Sequence, residues 1–442
     1  MSPDSGSRHR RFQFQDAASL RKKAIELGAA IPWSDSLASL FEPLALGEKR
    51  LPHRLISHPM EGADAEPDGG PGPLTSRRYE RLAVGGFGLL WFEAAAVTPD
   101  GRSNPRQLQL TPATLQGFQR MTEAARRAAR RAGRPEPVLI LQLTHSGRFS
   151  KPEGIPAPII ARHDAGLDEL RAIPPEAPVI SDAALDRLRD SFIAAAGLAE
   201  RAGFDGVDIK ACHGYLVGEL LAARDRTASR YGGPLDNRAR LLLETAAAAH
   251  SLHPGLLLAS RLGVFDAVPG GFGVAAGSAA GFDPAEPMEI ATRLQAAGVS
   301  LINVTAGVPA WRAHYGRPFD RPAEGGAVPD EHPLEGIARL IELAAVIQRS
   351  VPGLAIVGTG YSWLRAFFPF VAAAVVAGGA ASAIGLGRLA FAYPDAPGDL
   401  LAGRPLDSKR VCTACSSCST LLRAGRPTGC VVRDAAIYRL DR

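Results

Sequence analysis

Short apolar runs alternate along this chain with longer segments whose apolar residues recur every three or four positions. Residues 16–30 (DAASLRKKAIELGAA) place Leu20, Ala24 and Leu27 on one face, which predicts an amphipathic helix. Beyond it the pattern becomes regular. Strands are predicted at 54–58, 87–93, 137–143, 206–210, 256–262, 300–305, 354–358 and 382–386. Helices are predicted at 112–131, 182–202, 237–252, 284–297, 332–350 and 363–377. The run 137–143 (PVLILQL) shows no polar alternation, as expected when both faces of a strand are buried. Strand followed by helix argues for a parallel sheet, and eight strands argue for a closed (β/α)8 TIM barrel. The expected organisation is an N-terminal helical extension at 1–50, a barrel at 51–400 and a cysteine-rich segment at 401–442.

Composition narrows the class. The chain has 442 residues, 46% of them hydrophobic, enough for a large core. Its net charge of +5 comes from scattered arginines, and only 6% of residues are aromatic. A nucleic-acid footprint would cluster charge with aromatics, so no nucleic-acid partner is expected. The N-terminus is basic without a following apolar run, unlike a secretory leader. The uncharged stretch from Ala366 to Leu386 carries Pro369, Gly378 and Gly379, and reads as a buried helix followed by a buried strand, not a membrane span. Four of five cysteines fall near the C-terminus, a metal-ligand pattern unlike a secreted disulfide framework. A cytoplasmic protein is expected, with a homo-oligomer compatible.

Barrel strands end at one mouth, so their ends can be read together. They carry His58-Pro59-Met60-Glu61, Glu93-Ala94-Ala95, Gln142 and His145, Lys210 and His213, Arg261, Asn303 to Gly307, Gly358-Thr359-Gly360 and Gly385-Leu386-Gly387-Arg388. Polar groups recur at strand end after strand end, which is the pattern of a pocket. The densest stretch is 203–238, where Lys210, Cys212, His213 and Tyr215 follow one strand. Cys212 reads as a small buried residue. The glycine pairs VGTGY and IGLGR end the last two strands, where barrels hold phosphate on backbone N–H groups, and Arg388 adds a fork of donors. A mononucleotide-type cofactor or a phosphorylated substrate fits there. The run PGGFGVAAG has no βαβ context and is not a dinucleotide fingerprint.

The motifs PMEG, LQLTHSGR, GFDGVDIKACHGYL, RYGGPLDNR and IGLGR occur in an order that resembles the flavin-dependent Old Yellow Enzyme superfamily. The resemblance is to its iron–sulfur branch, which includes 2,4-dienoyl-CoA reductase, and covers roughly residues 40–430. It implies FMN across the barrel mouth, lined by Pro59, Met60, Ala94 and Gln142. Arg261 would lie near the pyrimidine edge. Gly358, Gly360, Gly385, Gly387 and Arg388 would take the phosphate. The family's oxygen-binding pair falls on Lys210 and His213, and Tyr215 matches the tyrosine that protonates the substrate α-carbon. The implied reaction is hydride transfer from flavin N5 to the activated C=C bond of an unsaturated carbonyl or carboxylate, or the reverse. Lys210 departs from the family's His-x-x-His or His-x-x-Asn. As a compact cation it suits an anionic substrate or an enolate, unless a local acid pairs with it.

Cys412, Cys415, Cys418 and Cys430 give C-x2-C-x2-C-x11-C. Four thiolates suit structural zinc or a [4Fe–4S] cluster. The resemblance implies the cluster, although its middle gap is one residue longer. Full-length dienoyl-CoA reductases continue past the cluster into a dinucleotide-binding region, and with twelve residues following Cys430 that region is expected to be absent. NAD(P)H reducing FMN directly and a separate electron-donor protein both remain open. Two other classes stay open as well: a phosphate-binding lyase forming a Schiff base on Lys210, and a non-catalytic flavin and iron–sulfur electron-transfer subunit.

Overall fold

The computed structural model describes residues 7–278 and 281–440. The first six residues of the N-terminal extension and the last two of the cysteine segment lie outside the described residues. Eight parallel strands close into a barrel: β1 (Leu55–Ser57), β2 (Leu89–Ala96), β3 (Val138–Thr144), β4 (Gly206–Ile209), β5 (Leu257–Phe265), β6 (Val299–Ala306), β7 (Ala355–Gly358) and β8 (Ala383–Leu386). Each pairs with its sequence neighbours, and β8 pairs back onto β1. This is the (β/α)8 barrel expected from the hydrophobic pattern.

Side chains alternate across the barrel wall, so uniformly apolar strands still feed two separate cores. Leu89, Trp91, Ile140, Ala259, Leu301 and Val357 point inward into one cluster. Leu90, Phe92, Leu139, Leu141 and Leu258 point outward and meet the surrounding helices in a second, larger one. A hairpin of Leu44–Leu46 and Lys49–Leu51 plugs the bottom of the barrel with Leu46 and Leu51, which join the inner cluster. The hydrophobic pattern did not reveal this hairpin, because three-residue strands are too short to show a period.

Two further differences have local causes. Pro73–Gly85 is a helix with Pro73 in its first turn and Gly86 in a left-handed cap. No helix is predicted there from the hydrophobic pattern, although proline at the start and glycine past the end are helix signals. The predicted helix 363–377 is two pieces: a 3₁₀ segment, Tyr361–Phe367, then Phe368–Ala377. Arg365 breaks the run at φ 52° and ψ −126°, and Pro369 occupies the first turn of the second piece. The uncharged stretch is thus a buried helix and strand, and no helix among the described residues is long and apolar enough to cross a membrane.

The polar half of 203–238 is a brace. Tyr231 donates to Asp186 at 2.6 Å, Arg230 pairs with the same carboxylate, and Arg238 binds Glu286 and the backbone oxygens of Gly233 and Leu221. Arg148, fully buried, binds Asp168 and Glu219 and ties the loop after β3 to the helix Leu216–Leu221.

Trp91 fills the inner core and donates from Nε1 to Asp208 at 2.8 Å. Trp91→Ala is expected to lose about 3–5 kcal/mol, the range for emptying a buried aromatic site. Denaturant unfolding checks this, and a loss under 1 kcal/mol would place little of the stability in the inner core.

Candidate active site

The inward parity that carries apolar side chains at the bottom of the barrel carries polar ones at the top. Gln142 continues Ile140, Asp208 and Lys210 continue β4, Arg261 continues Ala259, and Asn303 and Thr305 continue Leu301. Asp208 is the hub. Fully buried, it accepts from Trp91 Nε1 at 2.8 Å, from Gln142 Nε2 at 2.6 Å and from the Arg261 backbone N–H at 2.6 Å. Burial raises its pKa, and the same hydrogen bonds oppose that shift. Asp208 thereby fixes which end of the Gln142 amide is left for a ligand. Arg261 holds its guanidinium close by, with Nε unpartnered.

His58, at the end of β1, accepts from Asn303 Nδ2 at 2.8 Å through Nδ1, and its buried Nε2 has no partner. Burial and then Arg261 push its pKa well below the usual imidazole value, so the ring is neutral at pH 7. A side chain at Gly385 would run into the His58 ring. Glycine there lets β8 and the end of β1 approach.

His213, at φ 66°, takes a left-handed conformation that is uncommon for a non-glycine residue and costs local strain. Its Nε2 lies 3.2 Å from Thr305 Oγ1. Burial, followed by the charges of Arg261, Lys210 and Arg317, drives its pKa well below the usual value. A neutral His213 can donate a hydrogen bond without carrying charge. Tyr215 is held protonated, its pKa raised well above the ordinary phenol by burial and then by Glu61. Cys212 is 1% exposed, and burial pushes its thiol up to about 12, which suits a packing residue and not a nucleophile.

Lys210 is not a free cation. Its Nζ lies 3.4 Å from Glu61 Oε1 and 3.6 Å from the centre of the Tyr215 ring. The acids nearest it in sequence are engaged elsewhere: Asp208 binds Trp91, Gln142 and the Arg261 backbone, and Glu219 binds Arg148. Glu61 carried no assigned role in the sequence beyond its place at a strand end. Only the closing of β1 against β4 across the mouth shows the pairing.

The ends of β7 and β8 form a second cluster. A side chain at Gly358 would meet Tyr361 Oη at 2.6 Å, and Gly360 sits at φ 100°, where a side chain would be strained and would meet Leu340 at 2.5 Å. Arg388 gives Nη2 to the Pro318 carbonyl at 2.6 Å, while its Nη1 and the buried Tyr361 hydroxyl have no partner. Arg317 stands beside it. Burial and the neighbouring Arg388 charge depress its pKa to about 10. Two crowded guanidinium groups with unpartnered N–H donors are the chemistry of an anion site. Arg317 escaped the sequence reading because it follows β6 and precedes no glycine motif.

These arrangements fit a phosphorylated flavin. Unpartnered buried donors and close glycine backbone stand at the phosphate end, while Gln142, Arg261 and the backbone of Pro59, Met60 and Ala94 lie at or beside the inner mouth. The profile of the NADH:flavin oxidoreductase / NADH oxidase family matches residues 39–276, more than half of the chain. The protein belongs to this family. An NADPH dehydrogenase of Bacillus subtilis is 30% identical over 271 residues, covering 61% of this chain and 73% of that enzyme. Among solved structures, a 2-naphthoyl-CoA reductase superposes with a TM-score of 0.71 at 21% identity, covering 90% of this chain and 57% of that one. The Old Yellow Enzyme homologue of Zymomonas mobilis gives 0.61 at 21% identity, with 86% and 96% covered. These two likenesses are of fold. Membership of the family makes the protein an oxidoreductase of the Old Yellow Enzyme superfamily.

The cysteine segment packs against the barrel mouth. Thr428 N–H donates to Gly62 O at 2.7 Å, Asp320 N–H to Ala414 O at 3.0 Å, and Asp434 pairs with Arg77 and Arg81 at 2.8 and 2.7 Å. Ala414 and Ser416 both have positive φ, turning the chain between successive cysteines. Backbone N–H groups of Ala414 and Arg433 point to the sulfurs of Cys412 and Cys430 at 3.3 and 3.4 Å. Among the described residues, however, no three His, Cys, Asp or Glu side chains are gathered closely enough to hold a metal ion. In this conformation the four thiols are not a finished ligand set.

Arg388→Ala and Arg317→Ala are each expected to weaken FMN binding by about 1.5–3 kcal/mol, roughly ten- to hundredfold, with riboflavin affinity little changed. Fluorescence titration of the flavin-free protein with both ligands measures the difference. Equal losses for FMN and riboflavin would place these arginines away from the phosphate.

Proposed function

We propose that the protein is an FMN-dependent ene-reductase that adds hydride and a proton across the C=C bond of an activated, unsaturated carbonyl or carboxylate compound. The observation that carries this is one mouth holding a neutral donor, His213, against Thr305 and a protonated phenol, Tyr215, against Glu61 and Lys210, at the ends of the strands that carry Asp208, Gln142 and Arg261. FMN, when bound, supplies the hydride. Pro59, Met60, Ala94 and Gln142 would lie along its ring system, Arg261 at its pyrimidine edge, and Gly358, Gly360, Gly385, Gly387 and Arg388 around its phosphate.

In this reading His213 donates to the substrate oxygen and helps carry the enolate-like charge that develops there. Its strained backbone and its contact with Thr305 set the direction of that donor. Tyr215 delivers a proton to the α-carbon. Lys210 supplies the nearby positive charge that favours both the developing enolate and the tyrosinate left behind. Because Glu61 offsets that charge, the site suits a neutral enone at least as well as a carboxylate. A Schiff-base role is disfavoured for the same reason: Lys210 is held against a carboxylate, and a nucleophilic amine must first be neutral.

NAD(P)H is the electron donor that the family and its NADPH dehydrogenase members suggest. The four cysteines are proposed to take a [4Fe–4S] cluster. The support is their spacing, the left-handed turns between them and the N–H groups aimed at two sulfurs. All five cysteines are unpaired, which suits a reducing, cytoplasmic setting.

Anaerobic reduction with NADPH, NADH or dithionite, followed by mixing with a panel of enones and enoates, tests the activity. Reoxidation of the flavin by an enone is expected, with Tyr215→Phe slower by roughly 10²-fold or more, the scale of one positioned general acid. No reoxidation by any member of the panel would leave an electron-transfer subunit as the better account. For the tail, iron and acid-labile sulfide near four of each per chain are expected after anaerobic purification. Zinc without sulfide would exclude the cluster.

A further inference from the structure

Glu61 touches three groups at the site. Its Oε1 accepts from Tyr215 Oη at 3.2 Å and from Lys210 Nζ at 3.4 Å, and its Oε2 accepts from Ser103 Oγ at 3.2 Å. The carboxylate is 10% exposed and the lysine 6%. Burying an ion pair at this depth is costly, and the same stability could come from apolar packing. The Tyr215 and Lys210 contacts meet at one oxygen. A carboxylate serving only to neutralise Lys210 would not also need to receive the phenol that faces substrate.

We propose that Glu61 is a relay and positioning residue that restores the proton of Tyr215 from Lys210. This rests on the ene-reductase reading of the same site. In the resting state the Tyr215 O–H and a Lys210 N–H both point to Glu61 Oε1. When the phenol gives its proton to the α-carbon, a C–H bond forms and tyrosinate remains. A proton moves from Lys210 Nζ to Glu61 Oε1 and on to the tyrosinate oxygen. Lys210 is left as the amine and regains its proton from water at the rim. One proton leaves Tyr215 and one returns, with no change of oxidation state in any of the three groups. Ser103 holds the far oxygen, so Oε1 keeps facing Tyr215 and Lys210.

The arrangement also sets the acid in its protonated form. The negative Glu61 beside it raises the phenol further than burial alone, so Tyr215 keeps its proton until substrate takes it.

Glu61→Gln keeps the shape and removes the charge and the proton-accepting oxygen pair. In FMN-loaded protein, reduction of the flavin by dithionite or NADPH is expected to be unchanged. Steady turnover of NADPH with an enone, which requires Tyr215 to regain its proton in every cycle, is expected to slow by roughly 10²-fold. A single reoxidation of pre-reduced protein by the enone uses the proton Tyr215 already holds and is expected to match wild type. Turnover with ferricyanide, which draws no proton from Tyr215, is expected to match wild type. Equal slowing with both acceptors, or none with either, overturns the proposal. A second variant guards against a misfolded first: Glu61→Ala should recover steady enone turnover in formate, and failure to recover in a folded, flavin-loaded protein counts against the relay. A readout independent of turnover is acylation of Lys210 by trace acetic anhydride, followed by peptide mass spectrometry. It should rise several-fold in Glu61→Gln, and an unchanged rate would sever the Glu61–Lys210 link. If wild type itself reduces no enone, the ene-reductase reading fails, while the labelling result still judges the pairing.

Discussion

Everything at the mouth depends on a constraint of strand geometry: side chains alternate across the barrel wall, and the barrel interior is narrow. The inner positions must be apolar where they stack and can turn polar only above that layer. Asp208 stands at that boundary. Below it Trp91, Ile140, Ala259 and Leu301 fill the barrel, and above it Lys210, Arg261, Asn303 and Thr305 face the mouth. Its carboxylate joins the two halves by taking hydrogen bonds from Trp91, Gln142 and the Arg261 backbone. A buried carboxylate with fewer partners would be a liability; with three donors it fixes the register of β2, β3, β4 and β5 around the site.

The eight strands were legible because parallel strands buried on both faces leave continuous apolar runs, and those runs survive without knowledge of partners. The two-residue parity within them was not legible, since neither face is polar. It is why the distinction between Leu90 and Trp91 needed the structure. Short or capped elements were lost for a different reason. The hairpin at 44–51 is too brief for a period, and Pro73 and Gly86 look like loop unless they are read as the ends of one helix.

The candidate site was legible as a set of strand ends, and its pairings were not. Glu61 and Lys210 are 149 residues apart, and Arg317 is 71 residues from Arg388. Such partners meet only when the barrel closes. The consequence falls mostly on Lys210. From the sequence it was a cation that could select an anionic substrate; in the fold it is paired with Glu61 and lies over the ring of Tyr215. The cysteine segment shows the opposite balance. Its spacing is plain in the chain, whereas the thiols in the fold have not converged into a ligand set.

In the proposed reaction, hydride and proton reach opposite ends of one C=C bond from different sources. Reduction of 2-cyclohexenone with NADPH deuterated at its transferable position, followed by NMR of the product, tests this most directly; when the same reaction is run with ordinary NADPH in D₂O, the label should move from the β-carbon to the α-carbon. Both labels on one carbon, or no saturated ketone from fully reduced enzyme, would contradict it.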